Sequence, residues 1–175
     1  MAITIVTSII GTAAGGNNVT LALGSTAEND IVVTWGGFAG GTATAPGVIS
    51  PSGYSSVWTN DSAAVDTKLE WKRLGATPDP SVLLADSGDA ADAVGYLAYV
   101  LRGVSTDANP FEGGTRTSIA TGVPQSPSIV TVANNAIVLA LGANDIFDTS
   151  PGVVTNFNAN IGGSSNDTDD FTLAG

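Results

Sequence analysis

Acidic side chains supply almost all of the chemistry this sequence could perform. Asp86, Asp89 and Asp92 recur at intervals of three, Asp145 and Asp148 repeat that interval, and Asn166-Asp167-Thr168-Asp169-Asp170 is the densest run. Carboxylates grouped in loops are the oxygen donors of a calcium site, which takes about six to eight oxygens. None of these groups has the fixed glycine and closing glutamate of an EF-hand loop. Solvated acidic loops are therefore expected, and no metal ligand is assigned. Paired carboxylates also carry glycoside hydrolysis, but nothing in the sequence places two of the 16 acids in one cleft. The chain has neither His nor Cys. That removes the usual general base, Ser-His and Cys-His nucleophiles, disulfides and thiolate ligands. No catalytic residue, cofactor or enzyme activity is expected.

Aromatic side chains are the other candidates. Trp35, Trp58 and Trp71 could stack on sugars if exposed. Trp71 alternates with Leu69 and reads as core, whereas Trp58 stands beside Thr59-Asn60-Asp61 and is the best sugar-contact candidate. Sequons at Asn18, Asn60 and Asn166 arise easily in a chain so rich in Asn, Ser and Thr. Gly36-Gly37 and Gly40-Gly41 lack the lysine of a phosphate-binding loop and read as turn residues.

Sixteen acidic and five basic residues leave a net charge of −11. The cations are Lys68, Lys72, Arg73, Arg102 and Arg116, three of them in one strand-like segment, so no basic groove exists for a nucleic-acid backbone. An anionic membrane surface would repel the chain, and no segment reaches the roughly 18 apolar residues of a spanning helix. No basic n-region precedes Ile3–Ile10, so a signal peptide is not expected. Neither a nucleic-acid partner nor a membrane partner is expected.

The elements that must position these groups read as strands. Gly95-Tyr96-Leu97-Ala98-Tyr99-Val100-Leu101-Arg102-Gly103-Val104 is apolar on both alternating faces, with Leu97, Tyr99 and Leu101 on one and Tyr96, Ala98 and Val100 on the other. That pattern predicts a strand in the middle of a sheet covered on both sides. Ile3–Ile10, Val19–Leu23, Ile31–Trp35, Tyr54–Thr59, Lys68–Arg73, Val82–Leu84, Ser128–Ala133, Ile137–Leu141 and Gly152–Asn158 read as further strands. Gly36-Gly37 is expected to end the third of these, and residues 36–53 to form a long loop. In Lys68–Arg73, Leu69 and Trp71 are expected to point inward and Lys68, Glu70 and Lys72 to face solvent. Gly is abundant, at 22 residues, and only 12% of residues are charged, which suits short strands and tight turns rather than helices. The fold class expected is all-β: a single antiparallel β-sandwich of about eight to ten short strands, jelly-roll-like, over 1–175, with an N-terminal strand or arm at 1–16 and a polar C-terminal tail at 160–175.

The order of segments resembles a known family. Asp30-Ile31-Val32-Val33-Thr34-Trp35-Gly36-Gly37 leads to Pro51-Ser52-Gly53-Tyr54. Leu69-Glu70-Trp71-Lys72-Arg73 follows, then Leu101-Arg102-Gly103-Val104 with Asn109-Pro110-Phe111. Pro127-Ser128-Ile129-Val130-Thr131 and Asn135 to Gly142 come last. This resembles β-sandwich, jelly-roll-like domains common in bacteriophage virion structural proteins, over roughly residues 17–160. The resemblance carries no catalytic signature. It implies a capsid decoration (cement) protein, made in the host cytoplasm and located on the capsid exterior. Its partner would be the major capsid protein, which it would bind as a homotrimer on a symmetry axis. The contact segments expected on that reading are Met1–Ile10, Phe38–Ser52 and Ser105–Gln125. The alternative it implies is a tail- or fibre-associated module that binds host glycans, with Trp58 as the first contact.

Overall fold

The computed structural model describes residues 3–13, 16–39, 45–60, 65–88, 94–111, 136, 137, 139–143 and 171–174. Among these the chain is all-β and no helix occurs. Its strands are β1 (Thr4–Ala13), β2 (Val19–Ala22), β3 (Ile31–Ala39), β4 (Val48–Ser50), β5 (Ser55–Asn60), β6 (Val65–Arg73), β7 (Ser81–Leu84), β8 (Val94–Arg102), β9 (Ala140–Ala143) and β10 (Phe171–Ala174). The expected strands Ser128–Ala133 and Gly152–Asn158 lie outside the described residues.

β1 pairs with β8, β2 with β7 and β3 with β6, all antiparallel. These three pairs are nested in sequence, the outer strands enclosing the inner ones. β5 departs from that scheme. It pairs with β6 instead of closing the hairpin on β4, while β4 pairs with β7. The result is a five-stranded antiparallel sheet, β1-β8-β3-β6-β5, and a three-stranded one, β2-β7-β4. β9 and β10 form a separate two-stranded ribbon, so Phe171–Ala174, expected as part of a polar tail, finds its strand partner within the same chain.

Strand β8 is buried at every position from Val94 to Leu101. Tyr96, Ala98 and Val100 join Val32 and Phe38 of β3 in one apolar cluster with Val19 and Leu21 of β2 and with Val82 and Leu84 of β7. That cluster contains side chains of both sheets, a sandwich-like arrangement. Leu97, Tyr99 and Leu101 fall on the opposite face, in a second cluster with Ile31, Val33 and Trp35. Half-buried Leu69, Trp71, Phe111, Ile137, Leu139 and Leu141 pack against this second cluster. The five-stranded sheet thus has an inner face, toward the three-stranded sheet, and an outer face covered by segments that follow β8. The alternation expected for residues 96–101 is the one observed.

Two expectations are corrected. Gly36-Gly37 does not end β3, which runs on to Ala39. At Gly36 (φ 149°) an added Cβ would lie 2.2 Å from the Gly95 carbonyl oxygen, and at Gly37 it would lie 1.8 Å from that of Asp66. The two glycines let β3 pass between β6 and β8 at close backbone approach, a use of glycine inside a strand rather than after it. The predicted loop 36–53 contains β4 at Val48–Ser50 as well as the end of β3. The second correction is Glu70, which does not face solvent. Its side chain is only 6% exposed and belongs to the inner face, while Leu69 and Trp71 lie half-buried on the outer face. The three-stranded sheet is narrower than its partner, so the β6 end of the inner face is not sealed by apolar residues and takes charged ones instead.

Candidate interaction surface

The four cations among the described residues show which surfaces the fold uses for itself. Arg102, at the end of β8, makes a bidentate contact with Asp30, just before β3. Its Nε donates to Oδ1 at 2.8 Å and an Nη to Oδ2 at 2.7 Å, with a further bond to the Ser25 carbonyl. Asp30 is 1% exposed and also accepts the Ala27 N–H at 2.8 Å. Burial pushes its carboxyl up, but the Arg102 contact and the Ala27 N–H outweigh burial and hold it below the ordinary 3.8. Asn29 sits at φ 68°, the left-handed conformation that asparagine tolerates in turns, and closes this corner. Backbone bonds between Asp30 and Leu74 and between Asn29 and Leu74 tie it to the end of β6.

The other cations are committed in the same way. Arg73 donates to the carbonyls of Asn29, Ser105 and Asp107 and so holds the segment after β8. Lys72 bridges Asp79 at 2.8 Å and the Ser52 carbonyl at 2.8 Å, and lies 5.6 Å from the centre of the Tyr54 ring. Lys68 pairs with Glu70 at 2.8 Å, and the other Glu70 oxygen accepts the Val48 N–H at 2.7 Å. The Tyr96 hydroxyl accepts the neighbouring Gly47 N–H at 3.2 Å. Each cation therefore fastens a loop or a neighbouring strand. With 16 acids against five bases, the chain carries a net charge of −11.

The sequence candidates divide on this frame. Asp86 serves its own turn, its Oδ1 accepting the Gly88 N–H, while its backbone N–H donates to Asn18 Oδ1. That also places the Asn18 sequon side chain in a loop-to-loop contact. Asp89, Asp92, Asp145, Asp148 and 166–170, with the sequon at Asn166, lie outside the described residues. Among the described residues no group of three or more His, Cys, Asp or Glu side chains could hold a metal ion. Asn60 is half-buried in β5.

Trp58 stacks on Trp35 with ring centroids 4.8 Å apart and planes 14° apart. One face of the Trp58 ring is thus committed to the outer cluster. Trp71 packs against Phe111 at 5.9 Å, in line with the expectation that it belongs to the core.

The expected contact segments are spread over the molecule. Thr4–Ile10 lies in β1, which forms one edge of the five-stranded sheet. Within Phe38–Ser52, Phe38 is buried in the inner cluster, residues 40–44 lie outside the described set, and Ile49 of β4 is 53% exposed. Within Ser105–Gln125, residues 105–111 are held by Arg73 and by the Trp71–Phe111 contact, and the remainder lies outside. Among the described residues the large apolar side chains left exposed are Ile5 and Ile10 on β1, Ile49 on β4 and Val57 on β5. Sequence reasoning missed the Asp30–Arg102 anchor. Its signal is the register that pairs Ile31 with Leu101, which sets the residue before one strand beside the residue after the other. Compared with family models, curated proteins and solved structures, the chain matches none.

Proposed function

We propose that this protein is a virion structural component that binds the outside of a capsid and stabilises the shell. The observation that carries this reading is the use of charge. On an all-β two-sheet body of net charge −11, the described cations are spent on internal ties, so they are not presented as a basic surface. Many copies of such a body can coat a particle without competing for the packaged nucleic acid, because phosphate contacts need free Lys and Arg. The major capsid protein is the partner on this reading, reached through the exposed parts of residues 1–10, 38–52 and 105–125. Three copies would gather about a three-fold axis. Glycan binding by a tail or fibre module ranks behind it, because the lead residue for that role, Trp58, gives one ring face to Trp35.

The test is a copy count on purified particles that contain the chain, together with its position in an image reconstruction. Copies on the order of hundreds, on the shell exterior, are expected. A count of about six or twelve, at the tail, would sink the decoration reading. Adding the purified chain to particles that lack it should raise the temperature at which the shell opens.

A further inference from the structure

The two edges of the five-stranded sheet differ. β5 is six residues long and carries Ser55, Ser56, Thr59 and Asn60; like β1 it has one bulge and no charged residue, so the edges differ in length and in exposed isoleucine. β1 is ten residues long and holds no charged residue, in a chain of net charge −11. Two of its isoleucines, Ile5 at 39% and Ile10 at 40%, are exposed, and among the described residues no strand occupies its outer side. A long apolar edge without lysine, proline or inward charge is a template for strand addition.

We infer that β1 pairs antiparallel with β1 of a second copy of this chain, joining two five-stranded sheets across a two-fold axis at Ser8. The register along β8 carries the argument. Ile5 lies opposite Leu101, Ser8 opposite Tyr99 and Ile10 opposite Leu97. The bulge between Ile5 and Thr7 therefore leaves Ile5 and Ile10 on the same outer face, each two β8 positions from the centre at Ser8. A two-fold axis through Ser8 sets Ile5 of each copy against Ile10 of the other, and Thr7 against Ile9. Apolar cross-strand pairs of this kind are what stabilise antiparallel pairing. Strand direction selects the same partner. Five mutually antiparallel strands leave β1 and β5 running the same way. Head-to-tail closure of copies through β1 and β5 would require parallel pairing, which is the weaker ladder. β1 against its own copy is antiparallel and self-complementary. The inference does not rest on the capsid reading, and on it the β1 edge within residues 1–10 is taken by the second copy, which leaves residues 38–52 and 105–125 for the capsid. A trimer formed through other surfaces would become a hexamer.

Sedimentation of the full chain tests it. The mass should be an even number of chains, two or six, and association should strengthen with salt as repulsion between acidic copies is screened. Ile10→Lys places a charge on the exposed edge, and Ile5→Lys does so at the other end of the register. Each should halve the mass while leaving the far-ultraviolet dichroism unchanged. Val57→Lys on β5 should leave the mass as it was. An odd mass for the native chain overturns the pairing, whether one chain or three. An even mass that neither β1 lysine reduces overturns it too, and assigns the contact to another surface.

Discussion

The inner and outer faces of the five-stranded sheet bury comparable strands by different means. The inner face has an aliphatic centre, with Val32, Ala98 and Val100 against Val82 and Leu84 of the three-stranded sheet, and it is rimmed by Asp30, Arg102, Glu70, Lys68 and Lys72. The outer face is aromatic, with Trp35, Trp58, Trp71, Tyr99 and Phe111, and Arg73 stands at its rim against Ser105 and Asp107. Directional ion pairs and amide–carboxylate bonds fix the loops to the inner face in one arrangement. On the outer face Val104, Phe111, Ile137, Leu139 and Leu141 pack half-buried, and the directional bonds there include those of Arg73 to the Ser105 and Asp107 carbonyls. The comparison assigns stability and pH dependence chiefly to the inner face.

The largest effect should come from emptying the centre of that face. Leu84 is fully buried between the sheets, so Leu84→Ala loses its transfer energy and leaves a cavity, at a cost of about 2–5 kcal/mol. Leu139 covers the outer face while half-exposed, and Leu139→Ala should cost about 1–2 kcal/mol. Urea midpoints at constant slope measure both. Equal losses would mean that the two faces are sealed equally well and would break the comparison.

A smaller, pH-dependent effect belongs to Asp30. Its folded carboxyl is held below the ordinary 3.8, chiefly because Arg102 and the Ala27 N–H outweigh burial. A depressed carboxyl contributes stability that is present above the unfolded value and is lost as pH falls through the folded one. Acid titration of stability should therefore show a loss that begins near pH 4 and deepens below it. Asp30→Asn should flatten that part of the profile and lower stability at neutral pH, where the bidentate contact is lost. An unchanged acid profile would show that the anchor contributes no stability through its charge.

How far this division could be read from residues alone depended on which force acted. The two faces of Tyr96–Leu101 were legible because burial follows the two-residue period of a strand. Gly36-Gly37 misled, because glycine as a terminator and glycine at a close approach look identical until neighbouring strands are placed. Glu70 misled for a related reason. Alternation puts it opposite Leu69, but whether that side is solvent or seam depends on the narrower second sheet. The Asp30–Arg102 pair spans 72 positions and becomes visible only through register. Of the expected contact segments, the first could be read as a strand. Its standing as an edge with Ile5 and Ile10 exposed follows from topology, not from its composition.

The smallest effects separate two tyrosines on the inner face. Burial, first of all, raises both phenols above the ordinary 10.0. At Tyr96 the Gly47 N–H partly opposes burial, while at Tyr54 the carboxylates of Asp79 and Glu70 add to it. The Tyr96 hydroxyl accepts the buried Gly47 N–H, so Tyr96→Phe orphans that donor and should cost about 1 kcal/mol at neutral pH. The Tyr54 hydroxyl is buried and meets no hydrogen-bond partner among the described residues, so Tyr54→Phe should cost about 0 kcal/mol or stabilise slightly. On the alkaline side both variants should behave alike. A phenol whose folded pKa is raised contributes stability that is full below pH 10 and is lost as the unfolded chain begins to ionise above it. Each Phe variant should therefore lose less stability between pH 10 and 11 than the native chain does. If Tyr54→Phe instead costs as much as Tyr96→Phe at neutral pH, the Tyr54 hydroxyl has a partner, and the rim of the inner face is more fully bonded than its geometry indicates.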